Sequence, residues 1–135
     1  MKNSRNIGLN LLGDGERRER DAYYTPTWAI DVLLDANILD LEGKQILEPC
    51  AGGGAIVDAL ERRGFNVTGR DINGDERWEQ KNFLDGMQGF DAIITNPPFN
   101  LMDKFLFSAV SSAKQVAVLG RTLLVEGKRR RKLWK

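Results

Sequence analysis

The sequence predicts an α/β domain, with a mostly parallel sheet of about five strands carrying helices on both faces. Three observations predict it. Apolar runs too short for helices alternate with stretches of helical periodicity. A glycine-rich turn, 50–54, follows the first run, and Asn96-Pro97-Pro98-Phe99 follows the fourth. Such alternation at short intervals specifies parallel strands joined by crossover helices. The 135 residues fit one domain with little to spare.

Residues 1–22 are polar and broken by Gly8, Gly13 and Gly15, which predicts a flexible arm or lid. Thr25 is placed to cap a helix, and Pro26 fits the first turn, where its missing N–H costs nothing. Ile30, Leu33, Leu34, Ile38 and Leu41 follow at helical spacing, predicting a helix to about Leu39. Gln45-Ile46-Leu47 is a buried strand, and a helix from Gly54 to Arg63 stops at Gly64. Further strands are expected at Asn66–Asp71, about Gln80–Phe83, Phe90–Thr95 and Gln115–Leu119. Asn100 is placed to cap a helix whose apolar face carries Leu101, Phe105, Leu106 and Val110, and a basic helix is expected to finish the chain.

Composition narrows the chemistry. The chain is 41% hydrophobic and 29% charged, as in ordinary globular domains. No apolar run approaches the roughly 20 residues that span a bilayer, and no signal-peptide core opens the chain, so no membrane partner and a cytoplasmic location are expected. The single cysteine, Cys50, fits a reducing compartment; with no neighbouring cation to lower its pKa it is a packing residue. There is no histidine, which excludes imidazole acid–base chemistry, Ser-His-Asp triads and His-ligated zinc; no metal site is expected.

Leu47-Glu48-Pro49-Cys50-Ala51-Gly52-Gly53-Gly54 joins a strand to a helix. Glycines there permit positive φ and close approach of backbone to a ligand. Asp71, 19 residues beyond Gly52, ends the next strand, where an acid commonly accepts from ribose hydroxyls. A glycine turn alone needs no ligand, and this spacing is not G-x-G-x-x-G. Glu48 separates the cases: an acid before the turn repels a pyrophosphate and suits a cationic ligand such as S-adenosylmethionine.

The Asn-Pro-Pro-Phe segment is the most specific signal. Neither proline donates a backbone hydrogen bond, and each disfavours the α region for its predecessor. A stiff, extended loop with acceptor carbonyls results. It suits an exocyclic amine such as that of adenine, a poor nucleophile because its lone pair is delocalised into the ring. The Asn96 side-chain oxygen and the Pro97 carbonyl would each take one amine hydrogen and aim the nitrogen at a methyl group. Phe99 would stack on the base.

Glu48-Pro49-Cys50-Ala51-Gly52-Gly53-Gly54 together with Asn96-Pro97-Pro98-Phe99 resembles the class I S-adenosylmethionine-dependent methyltransferases of the adenine-N6 type. Tyr23-Tyr24-Thr25-Pro26 matches the leading cofactor motif of that family. The likeness covers about residues 22–127 and is to short phage or bacterial DNA-methylase-like proteins. It implies a Rossmann-like methyltransferase fold, a catalytic and cofactor domain over 23–127, and a cofactor pocket lined by Tyr24, Thr25 and Pro26. It implies further that Glu48, Ala51, Gly52 and Gly54 surround methionine, and that Asp71 with Ile72 holds the ribose and adenine. Asn82-Phe83-Leu84 falls where the family often has Asp-Phe-Leu, a segment that touches the cofactor adenine, so the resemblance implies cofactor contacts at Asn82 and Phe83; Asn82 departs from the acid but keeps an acceptor oxygen.

Two departures shape the expectations. The family sheet usually has about seven strands and a separate recognition domain; this chain shows about five strands and no second domain. The strand at 115–119 would then lie near an edge with an apolar face uncovered, predicting a homo-oligomer or a partner chain that completes the sheet. The tail 128–135, with Lys128, Arg129, Arg130, Arg131 and Lys132, reads equally as a solvated terminal helix or as a set of phosphate contacts; taken with the Asn-Pro-Pro-Phe motif, nucleic acid, DNA first, is the expected partner. Trp134 in that tail is expected to pack against the body or a second chain, Trp28 is expected in the core or a pocket wall, and Trp78 carries no signal. Alternatives remain: the same loop would hold an amine in RNA or a protein glutamine, or the chain is a truncated, inactive relative that binds cofactor or nucleic acid.

Overall fold

The computed structural model describes residues 5–9, by backbone, together with 25–73 and 76–119. In chain order these form β1 (Arg5–Leu9), α1 (Thr27–Asp35), β2 (Gln45–Glu48), α2 (Ala55–Arg62), β3 (Asn66–Asp71), β4 (Glu79–Gln80), β5 (Ala92–Thr95), α3 (Met102–Ser112) and β6 (Gln115–Leu119). Short 3-10 turns cover Phe83–Asp85 and Phe99–Leu101. The strands make one sheet in the order β1-β6-β5-β2-β3-β4, and every pairing is parallel. The two-residue β4 barely extends the five longer strands. The architecture is α/β and compatible with a Rossmann-like fold.

Side chains alternate across the strands and divide the core into two layers. Ile46, Ala92, Ile94, Ala117 and Leu119 face α1 and α2, meeting Ala29, Ile30, Leu33, Ile56, Ala59 and Leu60. On the opposite face Leu47, Ile93, Val116 and Val118 meet Met102, Phe105, Leu106 and Ala109 of α3. Phe83 joins this second layer edge-on to Phe105, with ring centroids 5.1 Å apart. Strands β2, β5 and β6 therefore lack a solvent face, which explains near-continuous apolar runs such as Ala-Ile-Ile-Thr.

Several local expectations change. Helix α1 ends at Asp35 and not near Leu39, because Asn37 takes a left-handed φ of 56°. Ile38 is therefore exposed, while Leu41 reaches the core from the loop. Pro26, not Thr25, holds the N-cap position, without a side-chain cap. The strand expected to run to Phe83 stops at Gln80, because the Asn82 side chain accepts from Leu84 N at 2.9 Å and starts a 3-10 turn. Asn100 does not cap α3; it sits inside the 3-10 turn that precedes Met102.

The largest change is at the N-terminus. Arg5–Leu9, expected to belong to an irregular arm, pairs with β6 along its whole length, from Arg5 opposite Gln115 to Leu9 opposite Leu119. Strand β6 thus has a neighbour on each side, and all five of its residues are buried. The uncovered edge from which a partner chain was inferred is occupied by the chain's own β1. The rest of the arm, residues 1–4 and 10–22, and the basic tail lie outside the described residues.

Candidate site at the switch point of the sheet

From β2 the chain winds outward through β3 to β4, and on the other side β5 leads to β6 and β1. The order reverses between β2 and β5, and in open α/β sheets ligands bind beyond the carboxyl ends of strands at such a point. These two strands pair directly, Ile46 opposite Ala92 and Leu47 opposite Ile93. Their tips carry Glu48 on one side and Thr95-Asn96 on the other. The two motifs, nearly fifty residues apart in sequence, leave the sheet side by side.

Glu48 is only 2% exposed. Its Oε1 accepts from Cys50 N at 2.8 Å, which folds the turn back on the carboxyl group. Burial raises its pKa from 4.5 to about 8, the neighbouring Asp71 charge adding slightly and contacts from Thr95 and the Cys50 amide opposing. The Thr95 hydroxyl lies close enough to influence Glu48 electrostatically but lacks hydrogen-bond geometry: among the described residues Thr95 Oγ1 is the buried side-chain polar atom without a partner. A buried carboxyl with one backbone donor, beside an orphaned hydroxyl, is a site short of polar partners. The Cys50 thiol is pushed well above its usual range by burial and by Glu48, which makes it an inert packing residue.

The glycine turn is held from both ends. Ala51 N donates to Arg70 O and Gly54 N to Ala51 O, both at 2.8 Å. Asp71 Oδ2 accepts from Gly52 N at 2.8 Å, and Oδ1 from Asn73 N at 3.0 Å. Each oxygen retains a second lone pair for an incoming hydroxyl. Gly52 and Gly54 have φ of 50° and 91°, a region in which a side chain is strained. A Cβ on Gly53 would meet nothing within 4 Å, so the turn is open to solvent there.

At Gly54 the space is taken by protein. A Cβ there would stand 2.5 Å from Arg77 Nη1 and 3.0 Å from the Trp78 ring. Trp78 is buried against Ala51, Val57 and Val67, and its Nε1 donates to Gly52 O at 2.8 Å. Arg77 lies over the Trp78 ring at 4.2 Å and pairs with Asp58 at 2.7 Å. Gly54 thus makes room for Trp78 and Arg77 and not for a ligand. Trp78 carried no signal in sequence because its partners Gly52, Gly54 and Val57 are distant along the chain.

Asn96 is buried at 7% exposure, and its Nδ2 contacts Thr25 Oγ1 at 3.1 Å. A threonine hydroxyl donates or accepts, so this contact fixes the amide plane without dictating which end faces onward. Thr25 was expected to cap α1; its hydroxyl instead ties the start of that helix to the Asn-Pro-Pro loop. Pro97 is buried and Pro98 half-buried, with Leu101 N bonded to Pro98 O at 3.2 Å. The side chain of Phe99 and residues Tyr23 and Tyr24 lie outside the described residues, as do Lys128, Arg129, Arg130, Arg131, Lys132 and Trp134. Pro26 flanks Thr25 and Ile72 is exposed just past Asp71, but Phe83, expected at the cofactor, packs edge-on to Phe105 in the second core layer, away from solvent.

A broad, open hollow of about 890 Å³ lies at the other end of the sheet, between Asn37, Lys44, Arg63 and Asn66. It opens at the amino ends of β2 and β3, far from both motifs, so size does not mark the chemistry here. Among the described residues no cluster of His, Cys, Asp or Glu is placed to hold a metal, and no helix is long and apolar enough to cross a membrane. Comparison with protein-family models, curated proteins and solved structures returns no match for this chain.

Proposed function

We propose that the chain transfers a methyl group from S-adenosylmethionine to an exocyclic amine, adenine N6 of nucleic acid, with DNA the first candidate. The observation that carries this reading is the adjacency of a buried carboxyl, Glu48, and a buried amide, Asn96, on paired strand tips at the switch point. The cofactor, when bound, supplies an electrophilic methyl on a positively charged sulfur. Glu48 and the turn at Ala51, Gly52 and Gly53 would hold its methionine end, with Asp71 receiving ribose hydroxyls. The orphaned Thr95 hydroxyl and the open face of Gly53 fit such a ligand.

Charge supports the assignment of a cation. At neutral pH the buried Glu48 holds a proton, and a positive ligand beside it restores the carboxylate form. Binding is therefore linked to proton release. Asn96 and the Pro97 carbonyl orient the amine, and its proton leaves to solvent after transfer, so no imidazole is required. Incubation with methyl-labelled cofactor and separate DNA, RNA and protein acceptors tests the reading. Label in DNA or RNA adenine supports it; label in protein alone moves the acceptor to glutamine, and label nowhere removes the enzyme.

A second reading has its own observation. Arg77 and Trp78 pack into the glycine turn, and Asp71 is bonded to backbone on both oxygens. On this reading the turn is a self-satisfied remnant, and the chain binds nucleic acid without turnover. Cofactor binding, measured directly, separates the two.

A further inference from the structure

Trp28 is the largest side chain of the α1 surface and the one furthest from expectation. It is 53% exposed, whereas its neighbours Ala29, Ile30 and Leu33 are buried. Its place matters more than its exposure. Thr25, three residues earlier, contacts Asn96 at 3.1 Å, so Trp28 stands within about one helical turn, roughly 5 Å of rise, of the Asn-Pro-Pro loop. Side chains on a helix tilt toward its N-terminus, which in α1 is the end next to Thr25.

The acidic charge around it is partly neutralised. Asp31 and Asp35 share the exposed side of α1, and two unpaired carboxylates there would repel phosphates. Both are held by Arg63, Nε to Asp31 at 3.1 Å and Nη1 to Asp35 at 2.9 Å. Val32, one turn further on, is also exposed and continues the apolar strip away from the loop. An exposed indole costs hydration free energy and contributes nothing to the core, but offers a flat face for stacking on a planar partner.

We propose that Trp28 is a stacking platform for a nucleobase of a single strand, or of a base turned out of a duplex, delivered to the Asn96 loop. The proposal rests on reading that loop as the amine-binding site, and it names the contact that holds the nucleic acid there. Stacking on one aromatic side chain changes single-strand affinity by about 5- to 150-fold.

The test titrates the full chain with an adenine-containing single-stranded oligodeoxynucleotide, its RNA counterpart and an abasic version, following Trp emission and anisotropy. Wild type is expected to bind the base-bearing strands with quenching that Trp28→Phe abolishes. Trp28→Ala should weaken binding about 5- to 150-fold while leaving affinity for S-adenosylmethionine and the melting temperature unchanged. Should the alanine variant fold poorly, the loss of quenching in Trp28→Phe decides. Equal affinity of wild type and Trp28→Ala, or equal binding of abasic strands, overturns the platform but leaves the methyltransferase reading standing. Trp28-dependent binding in a chain that takes up no cofactor keeps the platform and removes that reading. No binding of either nucleic acid, or recognition of a protein instead, overturns the platform.

Discussion

Replacing Glu48 by Gln gives the sharpest consequence of burying a carboxyl at the strand tip. The folded chain keeps a proton on Glu48 up to about pH 8, whereas the unfolded chain releases it near 4.5. Between those values folding takes up a proton, so stability falls as pH rises, fully retained below about 4.5 and fully lost above about 8. At roughly 1.4 kcal/mol per pH unit, the whole window is worth at most about 5 kcal/mol. Gln is close in shape to the protonated acid, still accepts from Cys50 N, and does not titrate. Glu48→Gln should therefore gain on wild type by about 2–3 kcal/mol between pH 5.5 and 7.5. Urea unfolding of both proteins across pH 5–8.5 measures it, and the difference cancels every other titrating group. Parallel curves would refute a proton held at Glu48.

Asn96→Ala should lower methyl transfer by about 10²–10³-fold, the scale for losing one oriented transition-state contact, while calorimetry shows cofactor affinity within about twofold of wild type. Loss of both together would mean that Asn96 shapes the fold. Gly69→Ala places a Cβ 2.5 Å from the Trp78 ring, on the strand residue opposite Glu48. It should cost about 1–3 kcal/mol in urea unfolding and red-shift Trp78 emission as the indole leaves the turn, whereas an unchanged spectrum would show Trp78 elsewhere.

Particular residues show how much the sequence disclosed. The strand-turn-helix at 45–62 and the strand before Asn96 were legible because apolar runs bounded by Gly or Pro are local signals. Their adjacency followed only from topology, since pairing of Leu47 with Ile93 is nowhere written in either segment. Arg5–Leu9 was illegible: it mixes charge, amide and glycine, and its strand conformation depends on β6 at the far end of the chain. Trp28, expected in the core or a pocket wall, and Trp78, which carried no signal, were illegible for a similar reason. Trp28 falls off the Ile30–Leu33 stripe and is exposed, while Trp78 finds a slot that the glycines at 54 and 69 leave open. The Thr25 hydroxyl had two possible partners, and the long-range one to Asn96 is the one made.

Calorimetry of S-adenosylmethionine binding at pH 7, in buffers of differing ionisation enthalpy, bears most directly on a cationic ligand seated between the tips of β2 and β5. Saturable binding is expected, with heats that vary with buffer because Glu48 gives up a proton, and with that variation absent in Glu48→Gln. No saturable heat in the wild-type chain at millimolar cofactor would contradict the site itself.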